Sequence, residues 1–315
     1  MEIFRKMSFA DSTGDAIPFY HEGKYHIFSL TSPPGTTVYP ERLRTTWSHS
    51  ISDDLVHWQE LPTALYPGEG DEPDASGVWT GSVIYGEGQY HAFYTGYCLT
   101  AEFQQTICHA TSDDGITWTK DIANPVITPM TELYEKLDWR DPYVFYNEED
   151  ENYWILISAR RLDMPVTRRG CIVLYRSKNL KDWTYYGPIY SPGHTNCPEC
   201  PEMYKMGGHW YLSYSRFSEF VNCFSRIFEY FAKKNFFSAQ KGAASPRNGS
   251  FYLLHYSSFL SASAGSESSA ASTSAGVSSV SAFSESAESS AASSAYTSID
   301  LSSVVSMTGF FTLVA

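Results

Sequence analysis

The sequence predicts an all-β chain folded as a β-propeller, and three observations carry that prediction. An apolar run, a polar turn that usually holds Gly, and an aromatic-led apolar run recur four times. A Trp-led strand follows each of the first three recurrences. No helical periodicity runs through the repeating region.

The four recurrences are AIPFYHEGKYHIFSL (16–30), GSVIYGEGQYHAFYT (81–95), DPYVFYNEEDENYWILI (141–157) and PEMYKMGGHWYLSYS (201–215). Each reads as a β-hairpin, because β-branched and aromatic residues flank a short turn. A second unit follows the first three: SISDDLVHWQEL (50–61), ATSDDGITWTKD (110–121) and YRSKNLKDWTYYG (175–187). Trp58, Trp118 and Trp183 recur about sixty residues apart. Two hairpins per period make four strands, the content of one propeller blade. A β-sandwich with similar hairpins is the alternative architecture.

The blade pattern stops after Asn222. Residues 1–222 therefore form the expected propeller domain, with about three and a half recognisable blades. Residues 223–315 form a non-matching tail. Within it, residues 257–298 are about two-thirds Ser and Ala, too poor in large apolar groups to offset the entropy of ordering. The tail is expected to be disordered, or to be read from a frame shifted near residue 222.

Composition narrows the function. A formal net charge of −13 leaves no basic stripe for a nucleic-acid backbone. No apolar stretch is long enough for a membrane helix, and MEIFRKMSFADSTGD lacks the apolar core of a secretion signal, so a cytoplasmic protein is expected. The aromatic fraction of 16% supplies flat apolar faces with polar edges, which suit sugar rings as well as cores. The six cysteines are scattered, which favours reduced thiols. Cys197 and Cys200 form a CxxC, but no second pair stands at zinc spacing, so a metal site is not expected.

Blades aim their innermost strands at a central channel, so residues at equivalent strand ends converge there. Asp15 stands just before hairpin one, Asp141 opens hairpin three, and Glu199 stands just before hairpin four. Each alone could be an ordinary turn or solvated residue. Their shared place in the repeat singles them out. Carboxylates gathered in a partly dry funnel raise one another's pKa, so one can stay a proton donor while another stays ionised. That pairing can cut a glycosidic bond.

An ordered set of motifs then points to a family. TWSHSISDDLVHWQELPTALYP (46–67) resembles the WGH segment of glycoside hydrolase family 32, the invertases, inulinases and levanases. VWTGSVI (78–84), FYTG (93–96), WRDP (139–142) and ECPEMY (199–204) are similar to that family's FSGS, FYTG, RDP and ECPDLF motifs, in the same order. The resemblance covers about residues 10–220. It implies a five-bladed propeller, incomplete in this chain, and a retaining mechanism on β-fructofuranosides that needs no metal or organic cofactor.

Carried over by position, Asp15 would be the nucleophile, Glu199 the acid and base, and Asp141 the stabiliser of the transition state. Arg140 would hold sugar hydroxyls beside Asp141. Trp47 and Trp79 would line the sugar pocket, or else fill the inter-blade core. Thr80 and Ser82 of the VWTGS segment would contact substrate. A carbohydrate is the implied partner. Nucleophile and acid should lie about 5 Å apart in a retaining enzyme.

The chain also departs from the family pattern. The family's NDPNG around the nucleophile is GDAIP here, so both asparagines are gone. Leu30 takes the place of a frequent Gln, and Asp11 is a fallback nucleophile. The β-sandwich usual after the propeller is not found. These losses leave open a non-catalytic sugar-binding or inactive propeller, or a glycosidase acting on arabinosides or other pentosides.

Overall fold

A computed structural model describes residues 12–36, 38–218, 223–231 and 253–255; of 217–218, 223–231 and 253–255 it describes the backbone alone. The described chain forms four antiparallel sheets of four strands, each a simple up-and-down meander. The first sheet holds β1 (Thr13–His21), β2 (Lys24–Thr31), β3 (Thr46–Ser52) and β4 (Trp58–Leu65). The second holds β5 (Gly77–Gly86), β6 (Gln89–Tyr97), β7 (Gln105–Ser112) and the short β8 (Thr119–Lys120). The third holds β9 (Tyr134–Asn147), β10 (Asn152–Arg161), β11 (Gly170–Ser177) and β12 (Thr184–Tyr190). The fourth holds β13 (Pro198–Met206), β14 (His209–Ser218), β15 (Cys223–Phe231) and β16 (Leu253–His255).

These sheets are the expected propeller blades, and every hairpin read from the sequence is present. Turns at Glu22-Gly23, Glu87-Gly88 and Gly207-Gly208 join the first two strands of their blades in left-handed conformations, which Gly adopts without strain. The Ser-Asp-Asp units close the second hairpins of blades one and two by side-chain capping. In blade two, Asp114 accepts the N–H groups of Ile116 (2.8 Å) and Thr117 (2.7 Å), which hold its carboxyl well down, to about 2.

The structure carries the fourth blade further than the sequence pattern did. β15 and β16 complete its sheet from residues 223–231 and 253–255, beyond the point where the Ser-turn-Trp unit disappears. CFSRIFEYF has the aromatic and β-branched content of a strand but no turn signature to announce it. The Ser/Ala-rich segment and Asp11 lie outside the described residues, all of which belong to one compact unit. No helix among the described residues is long and apolar enough to cross a membrane.

Three cores lie between successive blades. Ile17, Phe28 and Trp47 of blade one meet Val78, Val83 and Tyr94 of blade two. Phe93 and Ile107 of blade two meet Trp139, Ile155, Ile157 and Val173 of blade three. Trp154, Leu156 and Ile172 on the other side of blade three meet Met203, Trp210, Leu212 and Tyr214. Alternate residues of β10 thus bury toward opposite neighbours, which is why YWILI reads as one unbroken apolar run. Each such fully buried side chain contributes about 1.5–3 kcal/mol.

Candidate active site

The first strands of the blades, β1, β5, β9 and β13, are spatial neighbours in sequence order. Each breaks its pairing with the second strand at the same level, where two residues face one. Gly14 and Asp15 face Leu30; Trp79 and Thr80 face Thr95. Asp141 and Pro142 face Ile157; Cys200 and Pro201 face Tyr214. These are β-bulges, which bend a strand and re-aim its side chains. Pro142 and Pro201 suit them because a bulge leaves backbone donors out of the ladder. Gly81, next after the second bulge, is obligatory for another reason: an added Cβ would lie 2.0 Å from the Phe93 carbonyl oxygen.

Asp15, Asp141 and Glu199 therefore sit in or beside three of four matching bulges, and the structure brings them together. Cys200 joins two of them: its Sγ lies 3.7 Å from Asp15 Oδ2 and 3.9 Å from Asp141 Oδ2, and its N–H donates to Asp141 Oδ2 at 3.0 Å. Arg140 joins the other pair, with Nη2 3.0 Å from Glu199 Oε1 and Nε 3.7 Å from Asp141 Oδ2. Thr80 donates its hydroxyl to Asp15 Oδ2. Asp141 and Cys200 both hold left-handed backbones, φ 56° and 49°, an uncommon state for residues with a Cβ. The Asp141 N–H is tied to Thr95 Oγ1 at 2.8 Å, and that hydroxyl donates to the Thr80 carbonyl at 2.9 Å.

Burial dominates the electrostatics of Asp141, which is 6% exposed. Desolvation drives its carboxyl up to about 7 against the pull of Arg140, with Glu199 and Asp15 adding repulsion. Burial likewise pushes the neighbouring Cys197 thiol up to about 12, so it stays protonated.

Two residues expected to touch substrate do other work. Trp47 is fully buried in the core between blades one and two, and its Nε1–H donates to the Trp79 carbonyl at 2.9 Å. That is the second role its position allowed. Ser82 is buried at the seam of blades two and three, where its hydroxyl donates to the Pro142 carbonyl (2.8 Å) and accepts the Val144 N–H (2.9 Å). Strand alternation explains both: each points between sheets rather than along the axis. Trp79 is half-buried, stacks on Tyr97 at 4.1 Å, and donates its Nε1–H to the Leu43 carbonyl.

Sequence reasoning missed Cys200 and Asp138. Cys200 drew attention only through the CxxC spacing, and its place at a bulge depends on strand register. Asp138 lies two residues before Arg140, on the same side of β9, and nothing in WRDP marks it.

A β-propeller whose neighbouring first strands gather three carboxylates into one cluster is thus the kind of molecule observed. The family model described as "Glycosyl hydrolases family 32 N-terminal domain" matches residues 15–276, and the chain belongs to that family. It is 33% identical over 198 residues to a levanase of Bacillus subtilis, covering 59% of this chain and 26% of that protein. It is 32% identical over 202 residues to a raffinose invertase of Escherichia coli, covering 61% and 39%. The structure resembles that of exo-inulinase from Aspergillus awamori with a TM-score of 0.59 and 25% identity, covering 78% of this chain and 52% of that one. The chain thus spans from a quarter to about half the length of these relatives.

Proposed function

We propose that this chain carries the catalytic site of a retaining glycoside hydrolase acting on β-fructofuranosidic bonds of sucrose or fructans. The observation that carries the reading is the meeting of Asp15, Asp141 and Glu199, from three separate blades, around Arg140 and Cys200. The levanase, invertase and exo-inulinase named among the relatives support the fructoside substrate.

In this reading Asp15 is the nucleophile. It attacks the anomeric carbon while Glu199 gives its proton to the glycosidic oxygen, so the bond's electron pair leaves with the aglycone. A covalent fructosyl–Asp15 ester results. Water, deprotonated by Glu199, then attacks the same carbon and frees Asp15, and two inversions amount to retention. Asp141 and Arg140 hold the sugar's hydroxyls, and Trp79 offers a half-exposed aromatic face beside Thr80.

Asp15→Asn and Glu199→Gln should each cut release of reducing sugar from sucrose, inulin or levan by at least about 10³-fold, because each removes a group that acts within one catalytic unit. Turnover unchanged in both variants would end the assignment. Methanol added to the reaction should be captured as methyl β-fructofuranoside; the α anomer would contradict retention.

One observation favours a second reading. Leu30, not a polar residue, stands opposite the bulge that carries Asp15, packed so close that a Cβ on Gly14 would lie 3.3 Å from its own Cβ. An apolar group there suits a sugar with fewer hydroxyls, such as a pentofuranoside. Chromogenic arabinosides assayed beside fructosides decide between the two.

A further inference from the structure

The catalytic carboxylates are not the end of the charged network at this site. Arg140, whose side chain is 13% exposed, offers Nη2 to Glu199 but turns Nη1 the other way, to Asp138 Oδ1 at 2.6 Å and Gln105 Oε1 at 3.2 Å. Asp138 is gripped in turn from behind. Its Oδ2 lies 3.1 Å from Nη1 of Arg160, which is also 3.2 Å from Glu135 Oε2. Glu135 pairs with Arg169. Arg160 and Arg169 each donate to a backbone carbonyl of the loop between β10 and β11, at Val166 (3.1 Å) and Met164 (2.7 Å). Alternating charges thus run without a break from Glu199 through Arg140, Asp138, Arg160 and Glu135 to Arg169.

From this chain of contacts we infer that Asp138 is a positioning residue for the proton-donating step: it anchors the Arg140 guanidinium at Nη1 and shares its charge, so that Glu199 meets one N–H of a partly neutralised cation. The inference deepens the proposed fructoside hydrolysis and rests on it. Glu199 must carry a proton when the leaving group departs. An arginine beside a carboxylate favours the ionised form, and does so more strongly the less its charge is shared. Asp138, at 2.6 Å, is the nearer of Arg140's two acidic hydrogen-bond partners and takes up a share of the charge that Glu199, at 3.0 Å, would otherwise meet alone. Arg160 fixes Asp138 in that role, because a carboxylate bound on both oxygens cannot swing.

A lost proton donor has a signature that simple misfolding lacks. Aglycones that leave as alkoxides need the proton, and 4-nitrophenolate does not. Asp138→Asn keeps the shape but gives up the charge. In this variant kcat/KM for sucrose should fall by about 10–100-fold, while that for 4-nitrophenyl β-fructofuranoside falls less than about 3-fold. Arg160→Gln, which loosens Asp138 from the far side, should show the same split at smaller size, and Asp138→Glu should restore part of the sucrose activity. Thermal unfolding of each variant identifies any that does not fold, and either of the first two carries the test alone.

Equal losses on the two substrates, or none on either, overturn the inference while leaving the fructosidase reading in place. Failure of the parent chain to cleave either fructoside overturns both.

Discussion

Asp141 shows what a single residue contributes. It occupies the first position of the β9 bulge, in a left-handed backbone, with its N–H tied to Thr95 and its carboxylate to the Cys200 N–H. These bonds keep it in a site dry enough to lift its carboxyl to about 7. The sign of the effect on stability follows. The native state keeps the proton from the ordinary aspartate value up to about pH 7, whereas the unfolded chain gives it up near pH 4. Stability is therefore lost as pH rises through that window, and above pH 7 the forced ionisation costs on the order of 4 kcal/mol. Asp141→Asn should raise Tm more at pH 8 than at pH 5 while cutting kcat/KM by at least about 10²-fold. Calorimetry at the two pH values, with sucrose turnover beside it, checks both halves. A fall in Tm at pH 8 would contradict the argument.

At the scale of strands, blades one and two share a device that blade three lacks. His26 of β2 and His49 of β3 meet at 2.9 Å, and His91 of β6 and His109 of β7 meet at 3.0 Å. Phe28 and Phe93 stack on the second member of each pair, at 4.1 and 4.6 Å. In β10 the matching position is Trp154, so blade three packs an apolar ring there. Burial is the chief cause of depressed values in all four histidines, down to about 3 for His49 and about 4 for His91. The native state holds them neutral, and the unfolded chain takes up protons below about pH 6.5. Stability contributed by the neutral pairs is full above pH 6.5 and drains away as pH falls toward 4. The slope should approach about 1.4 kcal/mol per pH unit for each histidine that the fold keeps neutral. Circular dichroism melts between pH 7 and 4 test this, and a double His49→Phe, His91→Trp variant should flatten the curve.

For the whole molecule, the site exists because blades are locked side by side. Ser82 is one such lock, bonding the backbone of blade three on both sides of Tyr143 from within blade two. Ser82→Ala leaves the Val144 N–H and the Pro142 carbonyl buried without that partner, so stability should drop by about 1–3 kcal/mol. Because Pro142 belongs to the bulge of Asp141, turnover should fall with it, by more than loss of folded protein explains. Denaturant titration and activity per folded molecule separate the two effects. An unchanged midpoint would show that the seam holds without this hydroxyl.

Much of this was legible in the amino-acid order. Hairpins, their turns, the Trp-led strands and the three acidic positions all depend on short-range pattern: alternation, turn chemistry and a repeat. β15 was not legible, because it carries no turn signature; nor was the role of Ser82, and for Trp47 pocket and core stood as equal options. Local pattern marks a strand residue as pointing to one face or the other, but not whether that face meets a neighbour or a channel. Cys200 reaches Asp15 across 185 residues of chain, and Arg140 reaches Glu199 across 59. Contacts of that length are made by the packing of blade against blade. The order of amino acids carried the strands of the first three blades, the four-strand repeat and the three acidic positions. Packing of blade against blade set four bulges on one level, made Asp141 the dry carboxyl and stood Asp138 behind Arg140. Those facts arise where separate sheets meet, and no stretch of neighbouring residues contains them.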